Sequence, residues 1–313
     1  MLIDHLRINF IARIGETTQA WRVGSMEHIR HLGIVGLGLL GSSILRAVKS
    51  NYPHIHLHLF DGSRQVCHEV EALGLAPRCA GSLAELHECD LVVVCVPTGA
   101  VATVVIALAE GMKRGAVLTD VGSAKQMVIN EVGDRLPAHV SFVPGHPMAG
   151  GEQSGPGAGR EDLFAGKSCL LIPLATTPTS AIERVEGFWR ALGAVTCRVD
   201  ARQHDHIAAL TSHLPHLIAF SLMETFGDQL AINPQTGSFI GRSFFEQIRL
   251  ASSDVTVWTS IFEDNTAALL SQTEHFIEVL NQWCAILQER PVELHGKISH
   301  SSVLANRLLG RVV

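Results

Sequence analysis

The stretch Gly33–Ser43, "GIVGLGLLGSS", decides the fold because it joins a short apolar run to three spaced glycines. The apolar run predicts a strand, and a helical pattern follows the glycines. In that context Gly36 permits a tight turn, Gly38 lets the backbone approach a pyrophosphate, and Gly41 allows the helix to pack closely on the strand. The N-terminus of the helix then faces the phosphates. The stretch therefore predicts a dinucleotide site.

An acidic and a basic residue follow the next predicted strand, "HIHLHLFDG" at 54–62. Asp61 lies 20 residues past Gly41, where a carboxylate can bind the ribose hydroxyls. A carboxylate at this position repels a 2′-phosphate, which favours NAD over NADP. Arg64 is close enough in sequence to reach a phosphate, and it keeps NADP open. The predicted cofactor-binding residues are Gly36, Leu37, Gly38, Leu39, Leu40, Gly41, Asp61, Arg64, Val96, Pro97, Thr98 and Ser123.

Strand and helix patterns alternate up to about residue 200 and then change. The remaining strand candidates are "DLVVVCVP", "AVLTDVGS", "VSFVPG", "SCLLIP" and "AVTCRVD". From Asp205 onward the patterns are helical, with Pro215 expected to kink one helix and the last twenty residues expected to be weakly ordered. This order predicts an α/β fold with a Rossmann-type doubly wound, mostly parallel sheet, followed by an all-helical C-terminal domain. The predicted divisions are an N-terminal extension at 1–29, a dinucleotide-binding domain at 30–200 and a helical domain at 201–313.

Composition excludes several classes of protein. The 313 residues have a formal net charge of −6, which does not indicate nucleic acid or an anionic membrane as a partner. The longest apolar stretch is broken at 97–99, which favours a strand and a helix over a membrane span. Seven widely spaced cysteines without a CxxC pair predict reduced thiols in a cytoplasmic protein. His54, His56 and His58 alternate along one strand, but no cysteine or carboxylate completes a set, so we predict no metal site.

Two polar residues lie where chemistry is expected. The stretch "PGHPMAGGEQSG", Pro144–Gly155, places His146 in a glycine-rich loop, and an imidazole titrates near neutrality as a general base should. The residues alone leave a structural histidine equally open. Ser123 follows a predicted strand end, where the sites of doubly wound folds collect, although it could also cap the next helix.

Five motifs in order resemble one family. They are "GIVGLGLLGSS", "DVGSAK" (Asp120–Lys125), "PGHPMAGGEQSG", "SHLPH" (Ser212–His216) and "IRLASSDVTVW" (Ile248–Trp258). Together they resemble the prephenate/arogenate (cyclohexadienyl) dehydrogenase family of tyrosine biosynthesis, over roughly residues 30–290. The resemblance implies oxidative decarboxylation of prephenate and/or arogenate with hydride transfer to NAD(P), giving 4-hydroxyphenylpyruvate and/or tyrosine. It also implies that the helical domain pairs with its copy in a homodimer.

The resemblance assigns roles to individual residues. His146 accepts the proton of the substrate hydroxyl, and Ser123 touches that hydroxyl and the nicotinamide region. Arg249 binds a substrate carboxylate. The implied substrate-binding residues are Ser123, His146, Glu152, Ser212, His216 and Arg249, with Ser212 and His216 on one helix face. Some members have a lysine four residues before the arginine, where this chain has Phe245, so the choice between prephenate and arogenate stays open.

The sequence leaves two other functions open. One is a β-hydroxyacid dehydrogenase of similar two-domain build, which usually relies on a lysine in its helical domain. The other is a non-catalytic, NAD-binding dimer, against which the joint presence of Ser123, His146 and Arg249 argues.

Overall fold

The computed structural model describes residues 26–151 and 153–310. Most of the predicted extension at 1–29 therefore lies outside the described residues, while Met26 and Ile29 are buried in the core. Within the described ranges, no helix combines the length and the apolar character that crossing a membrane requires.

Five parallel strands form the central sheet, in the order β2-β1-β3-β4-β5. The strands are β1 (His31–Val35), β2 (His56–Phe60), β3 (Leu91–Val94), β4 (Val117–Asp120) and β5 (Ser141–Val143). The helices of this part are α1 (Leu39–Asn51), α2 (Arg64–Ala72), α3 (Thr98–Gly111), α4 (Gln126–Val132) and α5 (Thr179–Ala191). The predicted Rossmann-type, doubly wound parallel sheet is confirmed.

The core has two parts, one on each face of the sheet. Along β3, Leu91 and Val93 belong to the apolar cluster that includes residues of α1 and α5. Val92 and Val94 belong to the cluster that includes residues of α3 and α4. Side chains alternate between the faces of a strand, so a strand covered on both faces is apolar throughout, as the run "LVVV" predicted.

The order of the strands predicts a binding crevice at the carboxyl ends of the strands. Strand β2 lies on one side of β1 within the sheet, and β3, β4 and β5 lie on the other side. Ligands of such sheets bind outside the carboxyl ends of the strands, at the point where the order reverses. Here that point lies between β1 and β3, so the turns after these two strands border the crevice.

A second sheet contains β6 (Gly145–Pro147), β7 (Ser168–Leu171) and β8 (Val195–Arg198). β6 follows β5 almost directly and pairs with β7 in antiparallel fashion, with His146 opposite Leu170. His146 therefore lies in a short strand rather than in a glycine-rich loop, and the loop prediction was wrong at this residue. Leu170 lies 24 residues after His146, so the glycines close to His146 give no indication of this pairing.

The described part of the chain after β8 is helical, as predicted. The helices are α6 (Ala201–Ala208), α7 (Leu214–Ile232), α8 (Arg242–Ile248), α9 (Val255–Asp264), α10 (Thr266–Glu289) and α11 (Leu294–Leu308). A π-helical segment, Ala209–His213, separates α6 from α7, and Pro215 lies in the first turn of α7. In a first turn the missing N–H of proline is tolerated, because the N–H groups there lack intrahelical partners anyway.

The C-terminal prediction was wrong for 294–308, which form helix α11. Its polar composition obscured apolar residues four positions apart, such as Leu294 and Ile298 or Leu304 and Leu308. The chain divides into two compact units, with the boundary between Thr266 and Ala267. The sequence predicted another boundary, near residue 200, between a dinucleotide-binding domain and a helical domain. That boundary stays a prediction.

Candidate active site

The glycine turn has the backbone geometry that a dinucleotide requires. Gly36 has φ of +90°, and a Cβ atom there would collide with the carbonyl of Cys95. A Cβ atom on Gly41 would overlap the carbonyl oxygen of Gly36, so α1 packs against the turn as only glycine allows. A Cβ atom on Gly38 would meet no atom within 4 Å, which leaves open space beside the backbone at the start of α1. The turn therefore fits a pyrophosphate.

Asp61 at the end of β2 is tied to this turn. Its Oδ2 accepts a hydrogen bond of 2.8 Å from the backbone N–H of Leu37, and its Oδ1 accepts one of 2.8 Å from Ser63. The carboxylate is thus held at the mouth of the turn, while the Leu37 side chain is buried in the core. Arg64 is exposed at the first residue of α2. Their contacts with a cofactor stay predictions.

The turns after β3 and β4 are joined by a hydrogen bond. The backbone N–H of Ser123 donates to Oγ1 of the buried Thr98 over 3.3 Å. Pro97 is the residue before α3, and Val96 is half-buried. The predicted residues Val96, Pro97, Thr98 and Ser123 thus lie at the carboxyl edge beside the glycine turn. Ser123 does not cap α4, which begins at Gln126, and that alternative was wrong.

A buried ion pair lies beneath this edge. Nζ of Lys125 donates to Oδ2 of Asp120, and both side chains are 0% exposed. The same carboxylate accepts the N–H of Gly122 at Oδ2 over 2.8 Å and the N–H of Gly145 at Oδ1 over 3.1 Å. Asp120 therefore links the turn that contains Ser123 to the strand that contains His146.

His146 is only 8% exposed and begins a chain of buried polar groups. Its Nδ1 lies 2.8 Å from Nε2 of His204, and Nδ1 of His204 lies 2.7 Å from Oδ1 of Asp205. The carboxylate also accepts backbone N–H groups of Lys125 at Oδ1 and Gln126 at Oδ2, each over 2.8 Å, at the start of α4. Helix α6 is thereby fixed to the edge of the sheet beside the histidine.

Burial lowers the pKa of His146 well below its ordinary value, and the nearby His204, Lys125 and His213 lower it further. Desolvation disfavours the imidazolium, and the positive charge of Lys125 does the same. The imidazole of His146 is therefore neutral at neutral pH and has a lone pair with which to accept a proton. This is the protonation state that a general base needs.

Three of the residues predicted to hold the substrate, Ser212, His216 and Arg249, lie in the helical part of the chain. Nδ1 of His216 donates to the carbonyl oxygen of Ser212 over 2.9 Å, and its ring stacks on Trp258 with centroids 3.4 Å apart. Burial lowers the pKa of His216, and the charge of Arg249 lowers it further. Arg249 is exposed just after α8. The predicted Glu152 lies outside the described residues.

Ser212 and His216 do not share one α-helix, because Ser212 lies in the π-helical segment and His216 in α7. What joins them is the backbone carbonyl of Ser212. His213, between them, is fully buried, and burial lowers its pKa to about 4. All these substrate contacts stay predictions.

Sequence reasoning missed the buried groups around His146. His204, Asp205 and Lys125 received no role, and Trp258 appeared only as part of a motif. A histidine and an aspartate side by side at the start of a predicted helix was the one available signal.

His56 and His58 of β2 lie against His31 of β1. Nδ1 of His31 lies 3.0 Å from Nε2 of His58, and the rings of His31 and His56 stack. Burial lowers the pKa of His58, and so do these two histidines. In the described parts of the chain, no group of three or more histidine, cysteine or acidic side chains is arranged to hold a metal. Their register along parallel strands accounts for the cluster.

A parallel sheet with a glycine turn, a carboxylate after β2 and a neutral buried histidine at the carboxyl edge defines a nucleotide-binding oxidoreductase. Two family models match the chain. The model described as "Prephenate dehydrogenase, nucleotide-binding domain" matches residues 44–198, and the model described as "Prephenate dehydrogenase, dimerization domain" matches residues 200–297. The chain belongs to the prephenate dehydrogenase family. The glycine turn precedes the first matched residue, so its assignment rests on its own geometry.

Known proteins are similar along most of the chain. A cyclohexadienyl dehydrogenase of Zymomonas mobilis is 37% identical over 259 residues, 82% of this chain and 88% of that protein. A prephenate dehydrogenase of Bacillus subtilis is 29% identical, covering 83% of this chain and 71% of that protein. The solved structure of Aquifex aeolicus prephenate dehydrogenase with hydroxyphenyl propionate and NAD+ has a TM-score of 0.81 and 25% identity, covering 89% of this chain and 98% of that one.

Proposed function

We propose that this chain catalyses the NAD-dependent oxidative decarboxylation of prephenate, arogenate or both. The observation that carries the proposal is the neutral, buried His146 at the carboxyl edge of a sheet whose glycine turn fits a dinucleotide. Membership of the prephenate dehydrogenase family supports the substrate class.

The reaction needs one base. A bound nicotinamide would supply the acceptor for the hydride that leaves C4 of the substrate ring. His146 takes the proton of the C4 hydroxyl, and the bond between C1 and its carboxylate breaks. Carbon dioxide leaves, the electron pair of that bond completes the aromatic ring, and the ring oxygen takes the proton back from His146 to give the phenol. Aromatisation supplies a large driving force, which is why a neutral imidazole is a sufficient base.

NAD is the proposed cofactor rather than NADP. The carboxylate of Asp61 is fixed by the N–H groups of Leu37 and Ser63, so it cannot swing away from a ribose without losing two hydrogen bonds. A fixed negative charge accepts hydrogen bonds from ribose hydroxyls and repels a 2′-phosphate. Arg64 is the nearby cation that could offset this preference.

Arg249 is the proposed anchor for a substrate carboxylate, and Ser123, Glu152, Ser212 and His216 are the proposed neighbours of the substrate. His216 is a neutral imidazole whose Nδ1–H is already donated, so its Nε2 is an acceptor. A guanidinium binds carboxylates through two parallel hydrogen bonds. Arg249 therefore offers a strong cationic donor, and His216 offers a neutral acceptor.

The test is a parallel assay of prephenate and arogenate, each with NAD and NADP. We expect turnover of at least one substrate, with a larger kcat/KM for NAD. In the same assay Arg249→Ala should raise KM for the substrate and leave KM for NAD unchanged, while Arg242→Ala, an exposed arginine of α8, should change neither. Turnover of a β-hydroxyacid alone, or no turnover at all, contradicts the function, and an unchanged KM in Arg249→Ala excludes that anchor.

We also propose that the chain is a homodimer formed through its helical domain at 201–313, with 30–200 as the dinucleotide-binding domain. The family model of residues 200–297 supports this, and so do large apolar side chains left exposed there, among them Ile232, Phe239, Val255 and Val292. Gel filtration should give the mass of two chains, and the mass of one chain contradicts the proposal. The cytoplasmic location indicated by the thiols stays a prediction.

A further inference from the structure

We propose that His204 and Asp205 are positioning residues that fix the tautomer of His146, so that its Nε2 is the atom that accepts the substrate proton. The inference rests on the proposed function, since it concerns the same base. It adds two residues to which neither the motifs nor the family resemblance assigned a role. It is carried by three consecutive hydrogen bonds that end in a carboxylate.

The first step fixes the carboxylate as an acceptor. Oδ1 of Asp205 accepts the backbone N–H of Lys125, and Oδ2 accepts that of Gln126. Both oxygens are thus committed to main-chain donors at the start of α4. The third contact of this carboxylate is Nδ1 of His204, 2.7 Å from Oδ1. An ionised carboxylate only accepts hydrogen bonds, so Nδ1 of His204 must bear the proton.

The second step passes the assignment on to His146. In a neutral imidazole one nitrogen donates and the other accepts. The proposal takes His204 as neutral: its Nδ1 donates to Asp205, its Nε2 is the acceptor, and the group 2.8 Å away must donate to it. That group is Nδ1 of His146. The remaining nitrogen of His146, Nε2, is left with the lone pair.

This assignment has a consequence for the reaction. Neutral histidine in water favours the tautomer with the proton on Nε2, which would put a hydrogen where the base must accept one. The three-group chain reverses that preference. When the hydroxyl proton moves to Nε2 of His146, the imidazolium keeps its Nδ1–H bond to His204, and the negative charge of Asp205 stabilises the positive charge at the far end.

Other charged and titratable groups face the same histidine. Asp120 approaches from the end of β4, Lys125 from the residue before α4, and His213 from the π-helical segment. The side-chain amide of Asn265 donates to the backbone carbonyl of Asp205 over 2.9 Å and lies 3.1 Å from Nδ1 of His213. The buried pair Lys125–Asp120 is balanced in charge, so Asp205 is the negative group that remains for an imidazolium at His146.

Two substitutions of His204 separate its contacts. In His204→Asn the amide reaches only the position of Nδ1, so it can still donate to Asp205 but cannot reach His146. In His204→Gln the amide oxygen reaches the position of Nε2 and can accept from His146. We expect His204→Asn to lower kcat about 10- to 100-fold with KM for substrate and NAD nearly unchanged, and His204→Gln to recover most of that loss. His206→Asn, at an exposed histidine of the same helix, should keep wild-type kcat.

The tautomer itself is measured by nitrogen-15 NMR of histidine-labelled protein without substrate, with the His146 signal identified by its loss in His146→Asn. Wild type should show the proton on Nδ1 of His146. His204→Asn should shift the proton toward Nε2. Asp205→Asn should do the same, because its amide can donate to Nδ1 of His204 and thereby reverse the tautomers of both histidines.

Wild-type protein with the proton on Nε2 of His146 overturns the proposal, and so does a His204→Asn variant with wild-type kcat and an unchanged tautomer. Because the NMR measurement needs neither substrate nor turnover, it decides the tautomer even if prephenate and arogenate are both inert. If neither substrate reacts, that result contradicts the proposed function but not the assignment of the tautomer.

Discussion

Replacing His146 with asparagine is expected to lower kcat roughly 10²- to 10⁴-fold, the usual contribution of a general base. The asparagine amide reaches the position of Nδ1 and can still donate to His204, so the buried network keeps its hydrogen bond. What disappears is the nitrogen at the position of Nε2. Steady-state kinetics with the better of the two substrates measures the loss, and calorimetric binding of NAD should be close to wild type.

The pH profile gives an independent check of the same residue. The proposed base is active when neutral, so we expect activity to be present above the pKa of His146 and to be lost as the pH falls through it. Burial and three neighbouring groups lower that pKa, so the acid limb of the wild-type profile should lie below the ordinary imidazole value of about 6.5. The limb should be absent in His146→Asn and unchanged in His300→Asn, at an exposed histidine of α11. Near-normal turnover in His146→Asn would remove the base from its role.

The glycine turn and the parallel sheet could be predicted from the sequence because their requirements are local. The positive φ of Gly36 and the close approach of Gly41 are imposed by a turn of six residues, so the residue types reveal the geometry. A strand buried on both faces needs an apolar residue at each position, and Leu91–Val94 show it directly. The position of Asp61 beside the same turn was predicted from its spacing, while its contact with a cofactor stays a prediction.

The surroundings of His146 could not be predicted, because they depend on contacts between distant parts of the chain. His204 lies 58 residues from His146, and the N–H groups that hold Asp205 belong to residues about 80 positions earlier. The chain has 17 histidines, and nothing in their spacing selects His204 as the partner. The strand position of His146 was missed for the same reason, since its pairing with β7 satisfies backbone groups rather than side chains.

Replacing Lys125 with methionine is expected to lower the free energy of unfolding by about 3–5 kcal/mol. Methionine has a similar volume, so packing changes little, but Asp120 is left as a buried carboxylate without a counter-ion. The N–H groups of Gly122 and Gly145 still bind that carboxylate and place the loss toward the lower end of the range. Urea unfolding followed by circular dichroism, at fixed pH and without NAD, measures the change.

Two further variants show that the loss comes from an unpaired charge. Lys113→Met breaks a partly exposed ion pair of 2.6 Å with Asp90, and such pairs contribute about 0–1 kcal/mol because water screens them. Asp120→Asn combined with Lys125→Met removes both buried charges and should lose less stability than Lys125→Met alone, since the cost of the lone carboxylate disappears. If Lys125→Met is as mild as Lys113→Met, the buried pair does not hold the turn of Ser123 against the strand of His146, and the edge of the sheet must be stabilised by its backbone hydrogen bonds instead.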